Sequence, residues 1–263
     1  MFHIPRFAIA TGAVFAMAFM GSWFTCQARA DIVTNGLVAH FAADGNANDS
    51  STYANNGSFT GGYAPGILGQ AFSVNGSSTH VSVPDIAAYT FSSQFTVGFW
   101  VNAPTGFGTG PYGSAFLGQD NGGGTTAKWF VYYPSSVGLS MHINGVGAYE
   151  LQNGPAGLVS NTWYHIAVVK NGSNYAFYLN GAAQGSQTGP SSFPNPTAPF
   201  TLGWAEGNIG YTGLIDDVVL YNRALSDTEV ATLATIPEPA SLAMLTLGGA
   251  AMLFRGRGRN VAA

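Results

Sequence analysis

Val168-Val169-Lys170-Asn171-Gly172-Ser173-Asn174-Tyr175 reads as one complete β-hairpin. Asn-Gly readily supplies the positive φ angles of a tight turn, and extended apolar residues flank it on both sides. The same dipeptide recurs at Asn35, Asn56, Asn75, Asn121, Asn144, Asn153 and Asn180. Between these turns run short segments of strand character: Leu37–Phe41, Ala71–Val74, His80–Val83, Phe95–Val101, Lys128–Tyr133, Gly138–Ile143, Trp163–Lys170, Asn174–Leu179, Phe200–Gly203 and Gly213–Tyr221. Ten such strands without a βαβ rhythm predict an all-β, antiparallel sandwich. One helix is expected near its end. Ser226-Asp227-Thr228-Glu229 is a capping box, with Ser226 as N-cap and Glu229 three residues on, ahead of Val230, Leu233 and Ala234.

Composition agrees with strands joined by tight turns. The 263 residues include 36 Gly, 13% aromatic and 46% hydrophobic residues, but only 8% charged ones. So few charges exclude a coiled coil or a solvated helix bundle. The apolar content excludes a mainly disordered chain. Residues 31–235 hold three cations, Lys128, Lys170 and Arg223, against eleven acids, a formal charge of −8. Such a body offers no basic surface to a phosphate backbone, so no nucleic-acid partner is expected. It suits cations and neutral polar ligands better than anions.

Both ends read as addresses. Residues 1–30 have an early Arg6, an apolar run from Phe7 to Phe24 and the small-residue exit Ala28-Arg29-Ala30, the pattern of a signal peptide cleaved after Ala30. Cys26, the only cysteine, would leave with it, so the exported body would have no disulfide. At the other end, Pro237-Glu238-Pro239 precedes an uncharged apolar run, Ala240–Phe254, and then Arg255, Arg257 and Arg259. That run spans about 22 Å as a helix, short of a ~30 Å hydrocarbon core, so it predicts a weak transmembrane helix with its Arg cluster on the cytoplasmic side. Residues 236–263 resemble the PEP-CTERM sorting signal of Gram-negative bacteria. The resemblance implies transient inner-membrane anchoring, an exosortase partner and a destination at the cell surface or in the extracellular matrix.

The body, residues 31–235, carries a second resemblance. Gly36-Leu37-Val38-Ala39-His40-Phe41 leads to Gly45-Asn46-Ala47-Asn48-Asp49-Ser50-Ser51 and Asn55-Asn56-Gly57. Next come Gly69–Gly76, Phe95–Val101, Trp163–Val169 and Tyr178-Leu179-Asn180-Gly181, and the series ends in Gly213–Ser226. This ordered series resembles the LamG-like jelly-roll domains of the concanavalin A-like lectin/glucanase superfamily. It implies a jelly-roll β-sandwich.

Three chemistries compete for the polar and aromatic residues. The first is a structural Ca²⁺. Asn48-Asp49-Ser50-Ser51 to Asn56 is dense in oxygen ligands, and Asp216 and Asp217 interrupt an apolar strand, where a lone carboxylate is costly. In extended geometry these two point to opposite faces, and Asp216 shares its face with Leu214, Val218 and Leu220. The family resemblance implies that Asp49 lies near Asp216. The other reading makes both residues hydrogen-bonded loop anchors. The second chemistry is glycan recognition, for which Trp129, Tyr132, Tyr133, Trp204 and Tyr211 lie in or beside Gly-rich segments. Trp100 and Trp163 fall inside strong strand patterns, and His165 alternates with Trp163 and Ala167 as a packed core residue does. The third is glycoside hydrolysis. Its Glu-x-Asp-x-x-Glu pattern is absent, Glu150 and Glu206 are isolated, and no catalytic residue is assigned. The expected function is an exported, non-catalytic module binding polysaccharide or another matrix component. A self-associating structural matrix protein is the alternative, and a glucanase-like hydrolase the third.

Overall fold

The computed structural model describes residues 32–76, 78–108, 113–206 and 209–235. The expected signal peptide with Ala30, and the sorting segment with Pro237, Glu238, Pro239, Arg255 and Arg257, lie outside the described residues. Among the described residues no helix is long and apolar enough to cross a membrane.

Among the described residues, seventeen strands form two large antiparallel sheets and a small ribbon. The first sheet runs in the order β13 (Ala182–Thr188), β12 (Asn174–Leu179), β11 (Tyr164–Asn171), β6 (Gln94–Asn102), β17 (Thr212–Tyr221), β4 (Gln70–Asn75) and β3 (Gly62–Pro65). β17 is long enough that one of its edges pairs first with β4 and then with β1 (Leu37–Phe41), while β6 takes the other edge. The second sheet runs β10 (Tyr149–Leu151), β9 (Ser140–Asn144), β8 (Lys128–Tyr133), β7 (Ser114–Asp120), β14 (Phe200–Leu202), β5 (Val81–Val83) and β2 (Ser58–Phe59). β15 (Trp204–Ala205) and β16 (Ile209–Gly210) form the ribbon. The expected jelly-roll sandwich is the fold observed.

Alternation along the strands fills the space between the sheets. From β6, Phe95, Val97, Phe99 and Val101 join Trp129, Val131 and Tyr133 of β8 and Met141 and Ile143 of β9 in one buried cluster. Burying each large apolar side chain of this kind stabilises by about 1.5–3 kcal/mol. The opposite face of the first sheet is also covered. Helix α1 (Asp227–Leu233) lays Val230 and Leu233 on Ala167, Val169, Tyr178, Val219 and Tyr221. Because α1 covers it, the middle of this sheet is apolar on both sides, and β6 and β11 read as almost continuous hydrophobic runs.

Turn chemistry explains the registers. Asn180 and Gly181 both have positive φ (50° and 78°), the geometry of a two-residue hairpin turn, and they join β12 to β13. Gly118 of β7 is required by close approach, since a Cβ there would collide with the Trp129 carbonyl oxygen of β8. The capping box forms as read: the Ser226 hydroxyl accepts from the Glu229 N–H, and the Ser226 N–H donates to Glu229 Oε2 at 2.8 Å. Ser226→Ala should cost about 1 kcal/mol and lower Tm by roughly 2–4 °C for a body of this size, measured by thermal unfolding.

Candidate functional site

The outward residues of β8 alternate with its core residues. Lys128, Phe130 and Tyr132 face away from the space that Trp129, Val131 and Tyr133 fill. The Phe130 ring stacks on the His142 imidazole of β9 (centroids 4.8 Å apart, 19° between planes), and Tyr132 meets Phe130 edge-on at 5.3 Å. Glu150 of β10 ties these rings together. The Tyr132 hydroxyl donates to Glu150 Oε2 at 2.6 Å, and His142 Nδ1 contacts Glu150 Oε1. These groups line a cavity of about 290 Å³, together with Glu206 and Ile209 from the β15–β16 hairpin. A second depression of about 420 Å³ is lined by Asp120, Gly122, Gly123, Trp204 and again Glu206. Glu206 is common to both, so they adjoin as one groove on the outer side of the second sheet.

Charge in the groove is organised around Lys128. Its side chain is buried and forms an ion pair with Glu206, with Asp120 Oδ1 3.7 Å away. The Glu206 N–H donates to Asp120 Oδ2 at 2.7 Å, and Glu206 takes a left-handed φ of 47°. Burial pushes the Glu150 carboxyl up, but the hydrogen bonds from His142 and Tyr132 outweigh it and leave its pKa below the ordinary value. Burial, reinforced by Glu150, raises the Tyr132 hydroxyl well above its usual range. The site therefore presents a fixed carboxylate over the buried rings of Phe130 and Tyr132, with the His142 ring half-buried beside it.

Of the aromatic residues expected to bind a ligand, Trp204 lines this groove, with one face stacked on His80 at 5.4 Å. Trp129, Tyr133 and Tyr211 do not. Trp129 stacks on Phe200 and its indole N–H donates to Gln119 Oε1, Tyr133 packs on Phe107, and Tyr211 is wedged against Phe116, all inside the core. The inward parity of β8 selects Trp129 and Tyr133, and their outward neighbours Phe130 and Tyr132 reach the groove instead. Sequence reading missed Phe130 and His142 as site residues. The alternation in Lys128–Tyr133 and Ser140–Asn144 carries that signal once one residue of each strand is placed in the core. Glu150 and Glu206, isolated in sequence, meet in one cavity.

The carboxylates expected to bind calcium sit elsewhere. Asp49 Oδ1 accepts from the N–H groups of His40 and Ser51, and Oδ2 accepts from the Asn55 N–H and the Ser51 hydroxyl. Asp216 Oδ2 accepts from the Ile67 and Leu68 N–H groups, and Oδ1 from the Asp217 N–H. The two share no partner. Both accept from hydrogen donors, as the loop-anchor reading of these residues expects. Among the described residues no group of three or more His, Cys, Asp or Glu is arranged to hold a metal.

A β-bulge also corrects the face assigned to Asp216. Pairing with β6 slips between Asp216 and Val219, and Asp217 has φ 44°. The extra residue resets the alternation, so Ile215, Val218 and Leu220 all enter the core between the sheets, while Asp216 and Asp217 both serve the other side. There Asp217 meets His40 Nε2 at 3.1 Å, and His40 Nδ1 meets the Ser50 hydroxyl at 2.6 Å. His165 is packed as expected: it is 1% exposed, edge-on to Trp100 at 5.3 Å, and burial pushes its pKa down to about 3.

A family model described as the concanavalin A-like lectin/glucanases superfamily matches residues 75–231. The chain belongs to this superfamily. Superfamily members include both enzymes and binding modules. No curated protein sequence matches the chain. Among solved structures, it is similar to domain 4 of an extracellular arabinanase from Geobacillus stearothermophilus, solved with arabinotriose (24% identity, TM-score 0.62, 76% of this chain and 98% of that one). It is also similar to the binding domain of Paraclostridial Mosquitocidal Protein 1 (20%, TM-score 0.61, 76% of this chain and 52% of that one). A third is from botulinum neurotoxin type C, in a study titled for its interaction with two ganglioside molecules (14%, TM-score 0.60, 77% and 51%). The chain thus spans about half the length of the toxin structures. At these identities the likeness establishes the fold.

Asp216 gives this sandwich a testable pH dependence. Burial, then the neighbouring Asp217 charge, raises its pKa from 3.8 to about 8, against the opposing effect of three N–H donors. The folded chain thus keeps a proton that the unfolded chain releases. That stabilisation is complete below the unfolded value and is lost as pH rises through about 8. Tm should fall between about pH 5 and 8, and Asp216→Asn should flatten the decline, as read by thermal unfolding across that range.

Proposed function

We propose that this chain is an exported, non-catalytic carbohydrate-binding module, and that the groove on its second sheet is the ligand site. The carrying observation is the groove itself: the half-buried rings of His142 and Trp204, backed by the buried Phe130 and Tyr132, beside the fixed carboxylates Glu150 and Glu206. Aromatic rings receive the C–H faces of a sugar, and carboxylates accept hydrogen bonds from its hydroxyls. The likeness to an arabinanase domain solved with arabinotriose, and to toxin binding domains, supports this reading. Glu150 is unsuited to serve as the general acid of a hydrolase. A general acid for glycoside cleavage needs a raised pKa, whereas this carboxyl is held low by Tyr132 and His142.

The terminal motifs supply the proposed destination. A signal peptide ending at Ala30 would export the chain. Exosortase recognition of Pro237-Glu238-Pro239, while the apolar segment holds the inner membrane, would deliver it to the cell surface or exopolysaccharide matrix of a Gram-negative bacterium. Replacing Pro237, Glu238 and Pro239 by Ala should leave the chain in the inner-membrane fraction, read by fractionation and immunoblotting. Release at the normal level would overturn the sorting assignment.

Binding is tested with a glycan array and polysaccharide pull-down. His142→Ala and Trp204→Ala should each weaken capture at least about tenfold, the loss of roughly 1.4 kcal/mol of contact, without loss of the folded spectrum. A blank array, or binding indifferent to both variants, would overturn the assignment of the groove.

A further inference from the structure

The charges of this body can be followed one by one, because residues 32–235 contain only three basic side chains other than histidine. Lys128 is buried and ion-paired to Glu206, beside Asp120. Lys170 is buried on the first sheet, its Nζ donating to the carbonyls of Ser93 and Ser191 at 3.2 and 2.8 Å and to that of Gly172. Arg223 makes a paired contact with Glu229 at 2.6 and 3.0 Å and donates to the Asn35 carbonyl. Each cation is committed within the fold. None is available to receive the carboxylate, sulfate or phosphate of an acidic polymer.

The groove, in contrast, is rich in acceptors. Asp120, Glu150 and Glu206 line it against one cation, Lys128, which pairs with both Glu206 and Asp120; three carboxylates against one ammonium leave a formal −2, histidine not counted. The Glu150 and Glu206 side chains are 48% and 30% exposed, so they reach the ligand side. His142 has Nδ1 on Glu150. The carboxylate can only accept there, so Nδ1–H is assigned as the donor; Nε2, which accepts in the neutral ring, is buried and has no partner among the described residues. An ammonium group is a pure donor, and the aromatic rings beside it add cation–π attraction.

Resting on the carbohydrate-binding reading, we infer that the groove prefers glycans bearing free amino groups, polymers of de-N-acetylated hexosamine, over acidic or N-acetylated ones. Glu150 and Glu206 receive the ammonium groups while the half-buried rings of Trp204 and His142 carry the ring faces. Acidic polysaccharides are repelled by the carboxylates and find no cation elsewhere on the body. Preference of this origin is electrostatic and therefore screened by salt.

The experiment compares binding of glucosamine, N-acetylglucosamine, galacturonate and neutral arabinose tetramers to the full chain by titration calorimetry. Glucosamine oligomers should bind at least about tenfold more tightly than their N-acetylated counterparts, with galacturonate undetected. Raising salt to about 0.5 M should shrink that ratio, because the screening length falls to a few ångströms. Glu150→Gln and Glu206→Gln should each narrow it. If either variant fails to fold, the wild-type preference and its salt dependence decide. Equal or tighter binding of N-acetylated, arabinose or galacturonate oligomers would overturn the amino-sugar inference. In that case, loss of binding in His142→Ala would still uphold the groove as a glycan site. Absence of binding by every oligomer overturns the amino-sugar preference, and together with a blank array it overturns the binding reading too.

Discussion

A strand buried on both faces must satisfy every polar group it carries, and β17 carries two carboxylates in its middle. The rest of the first sheet depends on how that demand is met. β17 holds β6 on one edge and both β4 and β1 on the other, so a fault in it would separate three neighbours. The bulge at Asp217 is the solution. It moves both carboxylates to one side, where the loop through Ile67 and Leu68 supplies N–H donors to Asp216 and His40 approaches Asp217. The loop containing Asp49 is fixed by the same means, a carboxylate turned inward on N–H groups. Three segments distant in sequence are thereby joined through acidic side chains.

Much of this architecture was legible from local chemistry. β1, β8 and β12 begin and end where alternation and Asn-Gly turns place them, and α1 starts at its capping box. Other elements left weaker traces. β13, Ala-Ala-Gln-Gly-Ser-Gln-Thr, is a largely exposed edge strand and has no apolar face to reveal it. β7 is buried along nearly its whole length, and a bulge between Ala115 and Leu117 breaks its period. Both misplacements of candidate site residues share this origin. Parity along a strand is a global quantity, and one inserted residue at Asp217, or one wrong choice of inward face at Trp129, inverts everything that follows.

The groove arises from the same alternation that builds the core. Each residue of β8 that enters the core commits its neighbour to the outer face, so the aromatic density of Lys128–Tyr133 serves both sides of one strand. Lys128 makes that outer face possible. A buried lysine between Glu206 and Asp120 holds the hairpin of β15 and β16 against β7 and β8, and so closes one wall of the site. Scarcity of charge makes each ion pair here architectural. The single cation in the groove is spent on the wall and leaves its surplus of acceptors to the opening.

Helix α1 has a consequence for presentation. It covers the outer side of the first sheet, and the described chain leaves from its end at Thr235. The groove opens on the outer side of the second sheet, across the whole thickness of the sandwich. The sandwich is therefore two-faced: the helix closes one side, and the other carries the open groove.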